Sequence, residues 1–134
     1  MFDVLDIGAS GLAAQRVRMD TIAGNVANIN TTRNAAGEKI PYQRRIVMFA
    51  EGQQHNQAKP GVHVSQIQLD PAPYQKRFEP GHPDADAEGY VQYPNIDLAI
   101  EYVNMLEASR AYEANITMME TTKAMMNSTL RLIA

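Results

Sequence analysis

Two rows of apolar residues with helical spacing, one at each end of the chain, are the feature that most constrains the fold. In the C-terminal segment, apolar residues recur every seven positions, at Leu98, Met105, Tyr112, Met119, Met126 and Ile133, with Tyr102, Ile116 and Leu130 in an intervening row. The N-terminal row is Leu5, Leu12, Met19 and Val26, flanked by Ile22 and Ile29 and interrupted by Gly8 and Gln15. A seven-residue repeat is typical of helices that pack along one another. We therefore expect the two ends of the chain to pair.

Polar residues indicate where these helices begin. The first helix is predicted over about residues 4–28, with Asp3 and Asp6 near its start, where carboxylates favour the positive end of the helix dipole. The second helix is predicted to follow Pro94, with Asn95 as its N-cap, and to continue to Ile133. At about 1.5 Å per residue it would be roughly 55 Å long.

The middle of the chain carries short extended segments separated by turns. Strands are predicted over 42–49 and 61–69, and in the second the apolar positions change parity near Ser65 and Gln66, which predicts a β-bulge. Five of the seven prolines lie within 71–94, around a further extended piece at 74–78. Because proline cannot donate to a strand ladder, we expect a stiff chain here rather than a wide sheet.

These patterns predict a mainly α fold with a small β region, in which the N- and C-terminal helices pair as an antiparallel coiled coil. Residues 1–30 and 95–134 would form one helical domain, with 31–94 as a middle extended segment. The middle has too little apolar surface to cover two long helices. The remaining apolar surface is expected to meet neighbouring subunits, because free monomers seldom expose such large patches.

Composition excludes several classes of function. The chain has 12 Lys and Arg against 15 Asp and Glu, and a net charge of −3 without a basic block, so we expect no nucleic-acid partner. It has no cysteine, which excludes disulfides, thiolate catalysis and cysteine-based metal sites. Charged residues interrupt the N-terminal apolar stretch, so it forms neither a signal-peptide core nor a membrane span. Export would require a route without a cleaved signal.

One acidic segment has the spacing of half a calcium site. Asp84, Asp86 and Glu88 precede a glycine, as in an EF-hand loop, but the twelfth position is Asn95 and prolines replace the incoming helix. We therefore interpret the segment as a solvated acidic turn.

No residue pattern in the chain is typical of an enzyme. The three histidines have no metal-ligand spacing, and nucleophile, P-loop and dinucleotide motifs are lacking. We expect no catalysis, no metal, no cofactor and no small-molecule substrate.

Several segments carry a family resemblance. SGLAAQ at 10–15 and NVANINT at 25–31 resemble the entry motif of bacterial flagellar rod and hook proteins, and PYQRR at 41–45 fits the smaller rod proteins. The most specific segments are EPGHPDADAEGYV at 79–91, YPNID at 93–97 and ASRAYEAN at 108–115. Over essentially its whole length the chain resembles the flagellar basal-body rod protein C family, a proximal-rod subunit.

The resemblance implies a non-enzymatic axial subunit, exported by the flagellar type III apparatus without signal cleavage. Its partners would be other proximal and distal rod subunits, the junction protein between the rod base and the MS ring, and the export apparatus. It would lie in the basal body, within the rod that crosses the periplasm, and would transmit torque from the motor to the hook as part of the export channel. In this family the terminal helices form the inner tube and the middle segment packs outside.

Subunit contacts are predicted along the helices. The apolar positions expected to make them are Leu12, Met19, Val26, Met105, Tyr112, Met119 and Met126. The polar positions expected to hold register are Asn25, Asn28, Arg110 and Asn115. Two other functions remain open: a cytoplasmic helical adaptor or export chaperone, and a wall-active hydrolase that would depend on the carboxylates of the acidic turn.

Overall fold

The chain folds into two long terminal helices with short strands between them. The computed structural model describes residues 2–56 and 58–134. In that part of the chain the elements are α1 (Phe2–Ala27), β1 (Arg45–Glu51), β2 (Val62–Leu69), β3 (Gln75–Phe78), β4 (Tyr90–Tyr93) and α2 (Leu98–Ile133). The predicted class, two long helices and a small β region, is confirmed. Among the described residues no helix is long and apolar enough to cross a membrane.

The two helices pack against each other in opposite directions. Gly8 near the start of α1 lies against Met119, Gly11 lies against Asn115, and Asn25 near the end of α1 bonds to Glu101 near the start of α2. Each step forward along α1 thus matches a step backward along α2. The predicted pairing of the chain's two ends is present within one molecule.

The sequence suggested that Gly8 interrupts the contact between the helices. In the structure Gly8 instead forms part of that contact. A Cβ atom at Gly8 would lie 2.7 Å from Cγ of Met119, and one at Gly11 would lie 2.8 Å from Nδ2 of Asn115. Such distances are shorter than van der Waals contact. The two glycines are needed because the backbone of α1 approaches α2 closely there.

The intervening apolar row of α2 does not pack against α1, contrary to the prediction. Tyr102, Ile116 and Leu130 are 60%, 37% and 62% exposed, and the two ends of the main row, Leu98 and Ile133, are also exposed. The residues on the paired side are instead Glu101, Ala108, Asn115 and Thr122, which are buried or half-buried and also seven apart. They lie one position away from the predicted row, a rotation of about 100° around the helix. Small or hydrogen-bonding side chains fill this side because α1 is so close.

Helix α2 begins after Asp97, not after Asn95 as predicted. The Asp97 carboxylate accepts hydrogen bonds from the backbone N–H of Ala99 at 2.8 Å and of Ile100 at 3.4 Å, which is the geometry of an N-cap. Residues 94–96 form a tight turn in which the Ile96 N–H donates to the Pro94 carbonyl at 3.0 Å. That turn is not helical, so Asn95 cannot cap the helix.

The strands form two separate antiparallel hairpins within the described residues, β1 with β2 and β3 with β4. In the first, Met48 pairs with Gln66 and Phe49 pairs with Val64, so Ser65 is an extra residue and the predicted bulge is confirmed. β1 begins three residues later than predicted, because the Tyr42 N–H donates to the Thr31 carbonyl rather than to a strand. The second hairpin has only four residues per strand, in keeping with its prolines.

Candidate assembly surface

A single buried side chain, Asn25, joins α1, α2 and β1. Its Nδ2 donates to the Arg45 carbonyl at 2.9 Å and to Oε2 of Glu101 at 3.2 Å. Its Oδ1 accepts from the Arg45 N–H at 2.9 Å and from the Tyr42 hydroxyl at 3.1 Å. Four bonds use the full hydrogen-bonding capacity of a carboxamide. All four bonds of Asn25 lie within one chain, and its predicted role in holding register between subunits stays a prediction.

A buried carboxylate extends this joint. Glu101 is 1% exposed, and its Oε1 accepts from Nε of Arg44 at 2.6 Å, while Nη1 of Arg44 donates to Asp70 at 3.2 Å. Burial by itself would lower the pKa of Arg44, but hydrogen bonds and charges from Glu101 and Asp70 outweigh it and raise that pKa. We call Asn25, Tyr42, Arg44, Asp70 and Glu101 the polar lock. An unpaired buried carboxylate would be strongly unfavourable, so Glu101 depends on its partners.

The polar lock was not predicted from the sequence. Its only sign there is that Glu101 stands seven residues before Ala108 and fourteen before Asn115, a spacing that places it on the paired side of α2. The other members on the middle segment are Tyr42 and Arg44, just before β1, and Asp70, just after β2. No local pattern connects them to the helix.

The acidic turn between β3 and β4 ties the hairpin to the loop after α1. The Asp84 carboxylate accepts from the Thr32 hydroxyl and from Nε of Arg33, each at 2.6 Å. The Arg33 hydrogen bond, with that of Thr32, lowers the pKa of Asp84. Asp86 accepts from the N–H groups of Glu88 and Tyr90 and so closes the turn. Across residues 2–56 and 58–134, no three His, Asp or Glu side chains are grouped to hold a metal ion.

Many large apolar side chains of α2 are exposed in the described part of the chain. We call them, with the exposed apolar side chains at the start of α1, the assembly surface. Its members are Phe2, Val4 and Ile7 on α1 and Leu98, Ile100, Tyr102, Val103, Leu106, Ile116, Met125, Leu130, Leu132 and Ile133 on α2, with exposures from 37% to 88%. Exposed apolar side chains in this number are typical of a protein that packs against partners.

The predicted contact residues lie mostly where α1 and α2 pack against each other. All seven apolar members are half-buried: Leu12, Met19, Val26, Met105, Tyr112, Met119 and Met126. Asn28 bonds to the Gly24 carbonyl at the end of α1, Asn115 lies against Gly11, and Arg110 is exposed. The structure thus brings most of them together inside one subunit. Their contacts with other subunits stay a prediction.

Comparison with known proteins gives the chain its family. Residues 5–33 match the model described as "Flagella basal body rod protein", and residues 87–132 match "Flagellar basal body rod FlgEFG protein C-terminal". The chain is 42% identical to the flagellar basal-body rod protein FlgC of Yersinia enterocolitica, over 98% of this chain and 97% of that one. It is 40% identical to the Bacillus subtilis protein of the same name, over 98% and 97% of the two chains, and 41% identical to that of Salmonella typhimurium, again over 98% and 97%. The chain belongs to the flagellar basal-body rod protein C family, a family of structural rod proteins and not of enzymes.

Proposed function

We propose that this protein is a structural subunit of the flagellar basal-body rod that assembles through its terminal helices. The observation that carries the proposal is the set of exposed apolar side chains in the assembly surface, in a chain whose relatives over nearly its full length are named as rod proteins. Burial of apolar surface on association is the main driving force for assembly. A subunit with this surface uncovered is suited to packing among other subunits.

Assembly proceeds by a heterologous contact that does not close, which generates a helical tube. Residues 1–30 and 95–134 form the inner tube, where α1 and α2 supercoil as an antiparallel coiled coil, and residues 31–94 pack outside. In support of this arrangement, α1 and α2 approach each other closely at Gly8 and Gly11, while many other large apolar side chains of α2 stay exposed. Leu12, Met19, Val26, Met105, Tyr112, Met119 and Met126 are only half-buried, so they contribute at the margins of the contact.

The polar lock gives this subunit the rigidity that a driveshaft requires. It connects both helices to β1 through the hydrogen bonds of Asn25, and to the residue before β1 through the ion pair of Arg44 with the buried Glu101. Satisfied buried polar networks fix a single arrangement of the elements they join. Torque applied to the helices is therefore passed to the outer hairpin without internal slippage.

The subunit belongs to the proximal part of the rod, in the periplasm, and reaches it through the flagellar type III apparatus without loss of a signal peptide. Its neighbours are the junction protein at the MS ring and the other proximal and distal rod subunits. These finer assignments rest on the resemblance of the segments at 79–97 and 108–115.

Quantitative mass spectrometry of salt-washed hook and basal-body particles from the source bacterium tests the proposal. We expect a handful of copies per particle that resist washing. A protein that is missing from the particles and remains soluble in the cytoplasm would instead be an adaptor or an export chaperone. A deletion strain complemented with the intact gene is the matched control for particle yield.

A further inference from the structure

A hollow lies between α1 and the hairpin of β1 and β2. It has a volume of about 620 Å³. Ala9, Ala13 and Val17 line it from α1, and Val62 and Val64 line it from β2. Its other lining residues include the polar side chains of Asp6, Gln53, Gln54 and His55. We call it the hairpin groove.

Contacts within the subunit hold the hairpin groove open at a fixed width. The Ser10 hydroxyl donates to the Ile7 carbonyl at 2.7 Å and accepts from the Val62 N–H at 3.1 Å, so it ties α1 to β2. A Cβ atom at Gly61 would lie 2.8 Å from that hydroxyl oxygen, so the hairpin approaches α1 as closely as a glycine allows. The groove therefore exists before any partner binds.

Four exposed residues form a stripe on the side of α2 that faces away from α1. They are Ala99, Val103, Leu106 and Arg110, spaced four, three and four residues apart. At about 100° per residue they lie within about 60° of one another and opposite the buried Ala108. Val103 and Leu106 are 64% and 52% exposed. We call these four residues the outer stripe.

The hairpin groove repeats the spacing of the outer stripe. Its residues Asp6, Ser10, Ala13 and Val17 on α1 are also four, three and four apart, and they lie opposite the glycines that contact α2. An antiparallel helix with Arg110 at Asp6 therefore brings all four pairs together at once. The pairs are Asp6 with Arg110, Ser10 with Leu106, Ala13 with Val103, and Val17 with Ala99. The two larger aliphatic side chains of the stripe thus meet the two small side chains of the groove.

We propose that the outer stripe of one copy of this chain docks in the hairpin groove of the next copy in the rod. The proposal rests on the proposed function, and it adds the residues that join the copies. Charge identifies the occupant, because Asp6 and Arg110 are both exposed and neither takes part in an ion pair within residues 2–56 and 58–134. Their attraction favours the antiparallel direction over the reversed one, in which Arg110 would lie at Val17.

The direction of the helices agrees with a repeating contact. Because α1 and α2 run in opposite directions within a subunit, copies of equal polarity along one axis present α2 of one antiparallel to α1 of the next. The stripe and the groove are different surfaces, so the contact is heterologous and propagates. One stripe of four residues buries less than the roughly 1,000 Å² that a stable interface requires, so free subunits stay apart.

Disulfide trapping in assembled particles tests the contact. The chain has no cysteine, so Ala13→Cys combined with Val103→Cys introduces the only two thiols. Basal bodies are oxidised, purified and analysed on non-reducing gels and by peptide mass spectrometry. We expect covalent chains of this protein, linked between positions 13 and 103. These positions lie on opposite sides of the helix pair within one subunit, whereas a disulfide needs Cα atoms about 4.4 to 6.8 Å apart, so any link joins two copies.

Ala13→Cys combined with Ala124→Cys is the matched control. Ala124 is exposed on the same side of α2 as Val103 but 21 residues farther along, about 30 Å, so this pair should give no link. Particles that contain the first double variant without linked copies would overturn the contact, and so would equal linking by both pairs. If the natural protein is missing from the particles, the rod function itself fails, which is a different result.

Reversal of the two charges gives an independent test. Asp6→Arg or Arg110→Asp alone places like charges together and should reduce incorporation into basal bodies about tenfold. The two changes combined should restore it. Both sites are exposed and outside ion pairs of the described chain, so thermal unfolding of the free variants should stay close to that of the natural protein.

Asp20→Arg controls for the change of charge on α1. Asp20 is exposed and outside the lining of the hairpin groove, so this variant should incorporate normally. A double variant of Asp6 and Arg110 that incorporates no better than the single ones would overturn a second copy of this chain as the occupant of the groove.

Discussion

At the scale of single residues, Asn25 is the side chain whose loss we expect to cost most. Asn25→Ala removes four hydrogen bonds and leaves the Glu101 carboxylate and the Arg45 backbone short of partners in a buried site. Since each unsatisfied buried group costs about 1 to 3 kcal/mol, we expect the free energy of unfolding to fall by about 2 to 4 kcal/mol. Urea unfolding of the purified protein, followed by circular dichroism, measures it.

Asn127→Ala is the matched control, because Asn127 is exposed on α2. Its effect should stay within about 0.5 kcal/mol. If both variants unfold at the same urea concentration, the bonds of Asn25 do not contribute to stability as the geometry indicates.

The Asp84 carboxylate should make the stability of the folded protein depend on pH. Its pKa is lowered in the folded chain, first by the Arg33 hydrogen bond, below its unfolded value near 3.8. Stability from this carboxylate is therefore fully present above pH about 4 and is lost as pH falls through the folded pKa. Asp84→Asn should be less stable than the unmodified protein at pH 7. The difference in stability between the two proteins should become smaller in acid.

Thermal unfolding of both proteins at several values between pH 7 and pH 2 checks this expectation. Glu120→Gln neutralises an exposed carboxylate of α2 and should show no such narrowing. A gap between Asp84→Asn and the natural protein that stays constant down to the lowest pH would contradict the role given to the Arg33 pair.

At the scale of elements, two glycines of α1 should respond in opposite ways to the same change. Alanine is favoured over glycine in a helix by about 1 kcal/mol. At Gly24 the new Cβ would meet nothing closer than the Tyr42 hydroxyl at 4.0 Å, so Gly24→Ala should stabilise the protein by up to that amount. At Gly8 it would lie 2.7 Å from Met119, and overpacking of about 1 to 3 kcal/mol should outweigh the gain.

The free energies of unfolding of Gly8→Ala and Gly24→Ala, measured side by side, decide whether the close approach of the helices is real. Stabilisation by both variants would mean that α1 and α2 are farther apart than the structure has them at Gly8.

The close approach of α1 and α2 also limits how much of their pairing could be predicted from the sequence. The row through Met105, Tyr112 and Met119 was found because its members are apolar and seven apart, a pattern visible in α2 alone. The row through Glu101 and Asn115 was missed, because small and polar residues signal packing only when the facing helix is known. The sequence likewise predicted the bulge at Ser65, since parity is local, but not the polar lock, whose members are far apart in the chain.

At the scale of the whole molecule, the helix pair has a side that holds the subunit together and a side that is free for neighbours. A charge placed on each side should therefore produce a different defect. Met119 lies against Gly8 inside the chain, whereas Val103 is 64% exposed on the assembly surface. Met119→Asp should unfold the subunit or strongly destabilise it, since a charge at the packed helix contact loses its water.

Val103→Asp, in contrast, should fold normally and fail to assemble. In the free subunit the new carboxylate stays in water, so the thermal unfolding temperature should match that of the natural protein. In the rod it would be buried among apolar neighbours, so the variant should be depleted from basal bodies and cells should swim poorly. Ala35→Asp, in the exposed loop after α1, controls for the added charge and should swim normally. Normal incorporation of Val103→Asp would mean that this part of α2 does not contact neighbouring subunits in the rod.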